Sequence, residues 1–224
     1  NTMRLLLTKH INDADISKLG DDIIVDFVEV ITVENINFDI ENIGNKALIF
    51  TSINAVKSFF NNETSKQLTP ENPIYCVGEQ SQFFLEQKGV RVIKTEKNAE
   101  ELSNYFIKEN RNETYLHFCA DIALEKLSET FKNLEKNYKK IVSYKTKLTE
   151  PIYNKYFDAV AFFSPSGVRS FAANNILEGK TIFSIGDTTT NEIKNWTSEK
   201  ILTSDKNTVE DILNLIRDYA SDKK

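Results

Sequence analysis

Hydroxyl side chains recur at two corresponding places in the chain, each directly after a short apolar run. FTSINAVKSF (residues 50–59) matches FFSPSGVRSF (residues 162–171) at five of ten positions. In the same way, IYCVGEQS (residues 74–81) corresponds to IFSIGDTT (residues 182–189). We interpret each copy as a buried strand that ends where a helix begins. The free backbone N–H groups and hydroxyls at such a turn suit a carboxylate or a phosphate.

These turns also have an ordinary structural explanation. Ser, Thr and Asn are common N-caps, and a capped helix needs no ligand. None of the turns matches a Walker or dinucleotide fingerprint, because GEQS and GDTT lack the further glycines of those motifs. Each turn by itself therefore favours a helix cap, whereas the whole set favours a site for a small polyanion.

A third pair of segments indicates that the chain is built from two similar halves. NAEEL (residues 98–102) corresponds to TVEDI (residues 208–212), and each has an N-cap residue followed three positions later by an acid. The offsets of the three pairs are 112, 108 and 110 residues, so their order and spacing agree. Such agreement is typical of two copies of one architecture.

Strand patterns and helix patterns alternate within each half, which predicts an α/β fold. A helix is predicted where apolar residues recur at steps of three and four, at Leu124, Leu127, Phe131, Leu134 and Tyr138. Alternation of this kind predicts two similar domains with parallel sheets flanked by helices. The predicted strands are LIFTS, IYCV, RVIKT and TYLHFC in the first half, and AVAFFS, TIFSIG and KILTS in the second.

Two longer extended stretches, of about residues 23–33 and 140–148, predict the connection between the domains. If they pair, the chain crosses from one domain to the other and later returns. The first, discontinuous domain would then comprise residues 1–33 plus 149–224, and the inserted domain residues 34–148. We expect a ligand cleft between the two, joined by this two-stranded β linker, since ligands of such folds bind beyond the carboxyl ends of the strands.

Composition narrows the classes of function. The 224 residues carry a net charge of −5, which argues against nucleic acid and anionic membranes as partners but not against a local anion pocket. No apolar run approaches the ~18 residues of a membrane span, and LLL near the start is too short for a signal peptide. We therefore expect a cytoplasmic protein. The chain begins at Asn1, and Met3 is a candidate for the natural start.

The cysteines and histidines give no support for a metal site. Cys76 and Cys119 lie in apolar contexts, which favours buried structural thiols. His10 and His117 have no ligand partner at metal spacing, and a Ser-His-Asp mechanism has no support either. We therefore expect no protein-ligated metal site.

Five segments in this order resemble the uroporphyrinogen-III synthase family: FTSINAV, VGEQS, VSYKT, FFSPSGVRSF and IGDTT. The resemblance spans the chain from LLLTKH to TVEDILNLI, and FFSPSGVRSF followed by IGDTT is its most specific part. It implies a cytoplasmic, monomeric lyase of tetrapyrrole and heme synthesis that needs no cofactor. Its substrate would be hydroxymethylbilane, cyclised to uroporphyrinogen III with inversion of ring D and loss of water. It also implies transient handover of the substrate from porphobilinogen deaminase.

The resemblance further implies a set of site residues. Tyr144 in VSYKT matches the family's linker tyrosine, a proton donor to the departing hydroxyl; a packing role between domains is the alternative. A phenol with a pKa near ~10 is protonated at neutral pH. Lys57 and Arg169 are candidate carboxylate partners, although a solvated helix face is the favoured role of each. The implied substrate-binding positions are Thr8, Lys9, Ser52, Asn54, Ser81, Ser164, Ser166, Gly167, Thr188 and Thr189.

The sequence departs from the family pattern in three places. Lys9 replaces the usual Arg, which exchanges a bidentate fork for a point charge, and Ser81 stands where Thr is frequent. FCADIALEKL stands where relatives often have glycine and a basic residue, and Ala120, Ile122 and Ala123 supply neither. The altered loop leaves an alternative open: a non-catalytic two-domain binder of a tetrapyrrole or another small polyanion.

Overall fold

The computed structural model describes residues 2–123 and 125–222, and its strands and helices alternate along the chain. Leu124, which the apolar pattern placed in a helix, lies outside the described residues. The strands are β1 (Met3–Leu7), β2 (Ile23–Phe27), β3 (Ile31–Asn35), β4 (Ala47–Phe50), β5 (Ile74–Val77), β6 (Lys94–Glu96), β7 (Tyr115–Ala120), β8 (Tyr138–Leu148), β9 (Ala159–Phe162), β10 (Thr181–Ser184) and β11 (Ile201–Thr203). The α-helices are α1 (Asp13–Ile16), α2 (Ile53–Phe60), α3 (Glu79–Gln87), α4 (Ala99–Glu109), α5 (Lys126–Asn133), α6 (Pro165–Ala172), α7 (Asp187–Ile193) and α8 (Val209–Asp222).

The chain divides into two compact units, which we call unit 1 (Asn1–Thr32 with Lys147–Lys224) and unit 2 (Val33–Thr146). Unit 1 contains a parallel sheet in the order β11-β10-β9-β1-β2. Successive residues of β1 face opposite sides of this sheet: Leu5 packs in the same cluster as Ile216 of α8, and Leu6 packs with Phe171 of α6. Helices therefore cover both faces, as expected for parallel strands.

Unit 2 contains a sheet in the order β3-β8-β7-β4-β5-β6, in which the strands from β8 to β6 are parallel. One face is covered by α2, where the Phe59 ring lies 4.9 Å from the ring of Phe118. The other face is covered by α4 and α5, where the ring of Phe106 lies 4.9 Å from that of Phe131. The predicted α/β fold with parallel, helix-covered sheets is confirmed.

The order of the strands brings particular turns together within each unit. In unit 2, β4 lies between β7 and β5, so the turns after these three strands meet at one edge of the sheet. In unit 1, β9 lies between β1 and β10, and the turns after those strands meet in the same way. Ligands of α/β sheets bind at such edges.

The stretch 23–33 is two strands rather than the single extended linker expected. Its first part, β2, is the edge strand beside β1, with Met3 opposite Ile23 and Leu7 opposite Phe27. Its second part, β3, lies beside β8. The apolar pattern could not reveal this break, because both parts have the composition of a strand.

The helix expected from Leu124 to Tyr138 ends earlier than the pattern indicated, since α5 ends at Asn133 and Tyr138 begins β8. Glu135 has φ 53°, in the left-handed region, and the Lys136 N–H bonds to the Phe131 carbonyl at 2.9 Å. This bond is typical of a Schellman ending. The strand expected at RVIKT lies later, at Lys94–Glu96. None of the helices in the described residues has the length and apolarity to cross a bilayer.

Candidate active site

Tyr144 lies on β8 with its hydroxyl inside unit 2. The β7–β8 ladder shifts register between Cys119 and Ala120, so that Ala120 pairs with Tyr144. The Tyr144 hydroxyl lies 2.7 Å from Ser52 Oγ, and Tyr144 is only 7% exposed. Burial raises the pKa of Tyr144, while the hydrogen bond with Ser52 acts in the opposite direction. The phenol is therefore protonated at neutral pH.

Ser52 holds the start of α2. Its Oγ accepts the Ala55 N–H at 3.1 Å, as expected of an N-cap, and it contacts the Tyr144 hydroxyl at the same time. Asn54, in the first turn of the same helix, is half-buried and has no side-chain hydrogen bond within the described residues. The Asn54 amide is therefore free to bind a ligand.

A cavity of about 240 Å³ lies beside the Tyr144 side chain, and we call it the Tyr144 pocket. Its polar lining is formed by Thr51, Ser52, His117 and Tyr144, and its apolar lining by Ala99, Ala120, Ile122, Ala123 and Leu127. The loop after β7 thus contributes methyl groups and no cation, and Ile122 is 75% exposed. The Tyr144 pocket therefore combines hydroxyl groups on one side with apolar groups on the other.

The second turn of unit 2 precedes α3. The N-cap residue of this helix is Gly78, which has no side chain to cap the free N–H groups. The backbone N–H groups of residues 79–81 make no hydrogen bond within the described part of the chain. Ser81 itself is only 2% exposed, so this turn offers backbone donors more readily than the predicted hydroxyl. Glu79 at the first position of α3 would compete with an anion.

In unit 1, Ser164 caps α6 as Ser52 caps α2. Its Oγ accepts the Gly167 N–H at 3.0 Å and lies 3.3 Å from the Ser166 hydroxyl. A Cβ on Gly167 would lie 3.1 Å from Ser164 Oγ and 3.3 Å from Val30 Cγ2, so a larger residue here would require these side chains to shift slightly. The N–H of Gly167 is already engaged, which leaves Ser164 and Ser166 as the donors of this turn.

The next turn of unit 1 precedes α7, whose N-cap residue Gly186 likewise has no side chain to cap the helix. The structure places Thr188 at the surface, while Thr189 is 3% exposed. Both line a cavity of about 520 Å³ together with Ser164. Asp187 also lines this cavity, so an anion here would depend on the hydroxyl and backbone donors.

The first turn of unit 1 contains Thr8 and Lys9. Thr8 is 6% exposed, and its hydroxyl donates to the Ala161 carbonyl at 2.8 Å, so it serves the sheet. Lys9 is exposed and lines a cavity of about 630 Å³ with His10 and Phe27, whose rings are stacked 5.0 Å apart. Lys9 is thus available to a carboxylate.

The two candidate carboxylate partners on helices are differently engaged. The Lys57 ammonium is exposed and lies 6.0 Å from the centre of the Phe84 ring. Arg169 forms an ion pair with Glu192 at 3.5 Å, and its side chain is 48% exposed. Neither lines the Tyr144 pocket.

Sequence reasoning assigned no site role to three residues of unit 2 that the structure brings together. Thr51 Oγ1 lies 2.9 Å from His117 Nε2, and His117 Nδ1 lies 2.7 Å from the Tyr138 hydroxyl. His117 is 2% exposed, and burial together with the Lys140 charge lowers its pKa to about 4. The apolar neighbours of His117 on its strand favour a core role for it, and the apolar pattern predicts a helix at Tyr138. A register between strands is needed to bring these side chains together.

The cysteines are buried free thiols, as predicted, and burial raises the pKa of both. No group of three or more His, Cys, Asp or Glu residues that could hold a metal ion occurs in residues 2–123 and 125–222.

Comparison with known proteins shows which family has this architecture. The family model HEM4, described as uroporphyrinogen-III synthase HemD, matches residues 15–214. The fold is similar to that of a uroporphyrinogen-III synthetase from Helicobacter pylori, with a TM-score of 0.72 and 19% identity, covering 97% of this chain and 100% of that one. It is also similar to a mutant uroporphyrinogen III synthase from the extremely thermophilic bacterium Thermus thermophilus, with a TM-score of 0.57 and 11% identity over 100% of both chains.

A comparison with curated protein sequences found no significant match. The likeness to the two solved structures supports the fold, since both identities are low. The family model is the decisive finding, because it covers most of the 224 residues and not a single motif. The chain therefore belongs to the uroporphyrinogen-III synthase family.

Proposed function

We propose that Tyr144 and the hydroxyl-rich turns carry the reaction of the family in this chain. That reaction cyclises hydroxymethylbilane to uroporphyrinogen III, with inversion of ring D and loss of water. The observation that carries the proposal is the 2.7 Å contact between the Tyr144 hydroxyl and Ser52 Oγ in the Tyr144 pocket. The alternative of a non-catalytic binder is not favoured, because the matching family is one of synthases.

The hydrogen bonds around Ser52 favour Tyr144 as the acid. Ser52 Oγ accepts the Ala55 N–H and lies 2.7 Å from the Tyr144 oxygen. In the arrangement that we propose, the serine donates its own proton to the Tyr144 oxygen. The phenol proton then points away from Ser52 and is free for the departing hydroxyl. The carbon–oxygen bond breaks with electrons from the pyrrole nitrogen, and the hydroxyl leaves as water with the proton of Tyr144. The phenolate recovers a proton when the reclosed ring D loses one.

The cation left behind must be protected from water. Attack by the substituted carbon of ring D has to precede capture by solvent, so positioning and exclusion of water account for much of the catalysis. Ala120, Ile122 and Ala123 provide an apolar wall for this purpose in the Tyr144 pocket. The altered loop is thus compatible with the reaction, although it removes a basic contact.

The carboxylates of the substrate need separate donors. In unit 2, we assign this role to the Asn54 amide and to the free backbone N–H groups at the start of α3. Ser52, Ser81, Thr8 and Gly167 hold the turns in place through their packing and capping bonds. In unit 1, the corresponding donors are Lys9, Ser164, Ser166, Thr188 and Thr189.

The family pattern also suggests how the chain works in the cell. We propose a cytoplasmic monomer that receives hydroxymethylbilane from porphobilinogen deaminase. Sedimentation velocity of the chain alone and of a mixture with the deaminase tests both points. A stable dimer would contradict the first, and an unchanged isomer ratio when the deaminase is physically separated would contradict direct handover.

A coupled assay tests the function itself. The chain is mixed with porphobilinogen deaminase and porphobilinogen, and the uroporphyrin isomers are separated after oxidation. We expect isomer III with the wild-type chain and mostly isomer I with Tyr144→Phe. The matched control is Tyr156→Phe, which removes a 67% exposed phenol and should leave isomer III unchanged. Persistent isomer I with a folded wild-type chain would overturn the proposed function.

A further inference from the structure

A line of hydrogen bonds leads into the Tyr144 pocket from the interior of unit 2. It joins Tyr138 on β8, His117 on β7 and Thr51 in the turn after β4, which are neighbouring strands of the sheet. The two distances along this line are 2.7 Å and 2.9 Å. Thr51 and His117 both line the pocket that contains Tyr144. None of these three residues takes part in the proton transfer proposed for Tyr144.

The protonation states of His117 and Tyr138 limit which atoms in this line can donate a proton. His117 is almost completely buried and its pKa is lowered to about 4, so the imidazole is neutral at neutral pH, with one donor and one acceptor nitrogen. The Tyr138 phenol stays protonated, because burial raises its pKa to about 12. Ser128 donates its own proton to Glu125 Oε2 at 2.8 Å, and the hydrogen bond that the structure gives the Tyr138 hydroxyl among the described residues is with His117 Nδ1 at 2.7 Å. Because a buried hydroxyl needs an acceptor for its proton, we take His117 Nδ1 as that acceptor.

Tyr138 therefore donates to Nδ1, which leaves the ring proton of His117 on Nε2. The Nε2–H group then donates to Thr51 Oγ1. The hydroxyl proton of Thr51 has no protein acceptor in the part of the chain that the structure describes. This proton is free to enter the pocket.

The corresponding turn of unit 1 shows that the capping motif does not require this hydroxyl. Phe163 occupies the position of Thr51, directly before the capping Ser164. Ser164 nevertheless caps its helix in the same way as Ser52. Thr51 is thus an addition to the turn and not a part of the cap.

We propose that Thr51 is a second hydroxyl donor to the oxygen that leaves the substrate, and that His117 is the positioning residue that directs its proton. This inference rests on the proposed role of Tyr144, which supplies the transferred proton. Thr51 transfers none: its hydrogen bond stabilises the negative charge that develops on the departing oxygen. A donor that strengthens its bond only as charge develops raises kcat and leaves KM nearly unchanged.

Substitutions of Thr51 test the donor. Thr51→Val removes the hydroxyl and keeps a branched side chain, and we expect kcat to fall about tenfold with KM within about twofold. Thr51→Ser keeps the hydroxyl and should retain kcat within about threefold. A wild-type kcat for Thr51→Val, or an effect on KM alone, would overturn the proposal.

Substitutions of His117 test its role in positioning Thr51. His117→Gln keeps an N–H donor near the position of Nε2, whereas His117→Leu keeps none, so the glutamine should retain several times the kcat of the leucine. The control Tyr75→Phe removes another buried phenol of unit 2, bonded to Glu113 at 2.9 Å, and should lower stability without changing kcat. Equal losses in both His117 variants, scaling with their thermal stability, would make His117 merely structural.

Nitrogen NMR of the His117 ring gives a measurement that does not depend on turnover. In protein with ¹⁵N-labelled histidine we expect the proton on Nε2 at neutral pH. A proton on Nδ1 would mean that His117 donates to Tyr138 and accepts from Thr51, which would overturn the proposal even with an active enzyme. If the wild-type chain forms no isomer III, the proposed function and the role of Thr51 both fail. The NMR result would then still show how His117 is bonded.

Discussion

The duplicated turn after β4 in unit 2 and after β9 in unit 1 has the same cap but different neighbours. Ser52 and Ser164 accept the N–H three residues ahead, at 3.1 Å and 3.0 Å. Ser52 additionally contacts the phenol of Tyr144, whereas Ser164 contacts the hydroxyl of Ser166. The repeated sequence therefore reproduces a local structure, and the surrounding strands decide whether it serves chemistry or binding.

The difference extends to the residue before each cap. Thr51 in unit 2 is hydrogen-bonded to His117, while Phe163 in unit 1 is apolar. In our interpretation, unit 2 retains the proton donors and unit 1 contributes hydroxyls and Lys9 for carboxylates. Four experiments test this division.

Removal of the phenol should have the largest effect. Tyr144→Phe is expected to lower kcat by about 10²-fold or more, because general acids contribute on the order of 10²–10⁴-fold. The rate is measured as formation of isomer III from hydroxymethylbilane. If Tyr144→Phe retained near-normal turnover, the tyrosine would be a packing residue and the chemical distinction of unit 2 would be lost.

Acid should destabilise unit 2 through His117. Its pKa is about 4 in the folded chain, below the ordinary value of 6.5, so the unfolded chain binds more protons between these values. Stability is thus retained above about pH 6.5 and falls as the pH is lowered towards 4, by up to roughly 3 kcal/mol. Urea unfolding at several pH values measures this fall.

His117→Gln supplies the comparison for that experiment, because glutamine does not titrate. The fall in stability between pH 6.5 and 4 should be smaller in this variant than in the wild-type chain. Equal slopes in the two proteins would show that other groups cause the acid sensitivity.

A matched pair of cap substitutions compares the two turns directly. Ser52→Ala and Ser164→Ala should each cost about 1 kcal/mol of stability, since each removes an N-cap. Ser52→Ala should also lower kcat about tenfold, because Tyr144 loses its hydrogen-bond partner. Ser164→Ala should mainly raise KM. The opposite pattern of kcat and KM would reverse the roles assigned to the units.

The smallest effect is expected from removing the negative charge of Asp187 in unit 1. Asp187 lines the cavity beside Thr188 and Thr189, where it would repel a carboxylate. Asp187→Asn should lower KM about twofold at low salt, and the gain should shrink as added salt screens the charge. Asp218→Asn, on the exposed part of α8, is the control and should leave KM unchanged. A gain that persists at high salt would exclude an electrostatic cause.

Much of the fold could be predicted because its signals are local. The caps at Asn98 and Thr208 accept the N–H groups of Glu101 and Asp211, at 2.9 Å and 3.2 Å. The buried strands follow from apolar runs, and the alternation of elements predicts parallel sheets. The predicted family is confirmed by the family model. The domain boundaries at residues 33/34 and 148/149 stay a prediction, as do the assigned roles of the site residues.

The repeated turns, their caps and the family can be read from the sequence, because each depends on residues close together in the chain. Which hydroxyls remain free depends on the folded chain, since Thr8 bonds to Ala161 and Ser81 is buried. The tertiary structure likewise places Tyr144 against Ser52, 92 residues apart in sequence. Such contacts depend on the register of neighbouring strands, and that register is fixed by packing over the whole sheet.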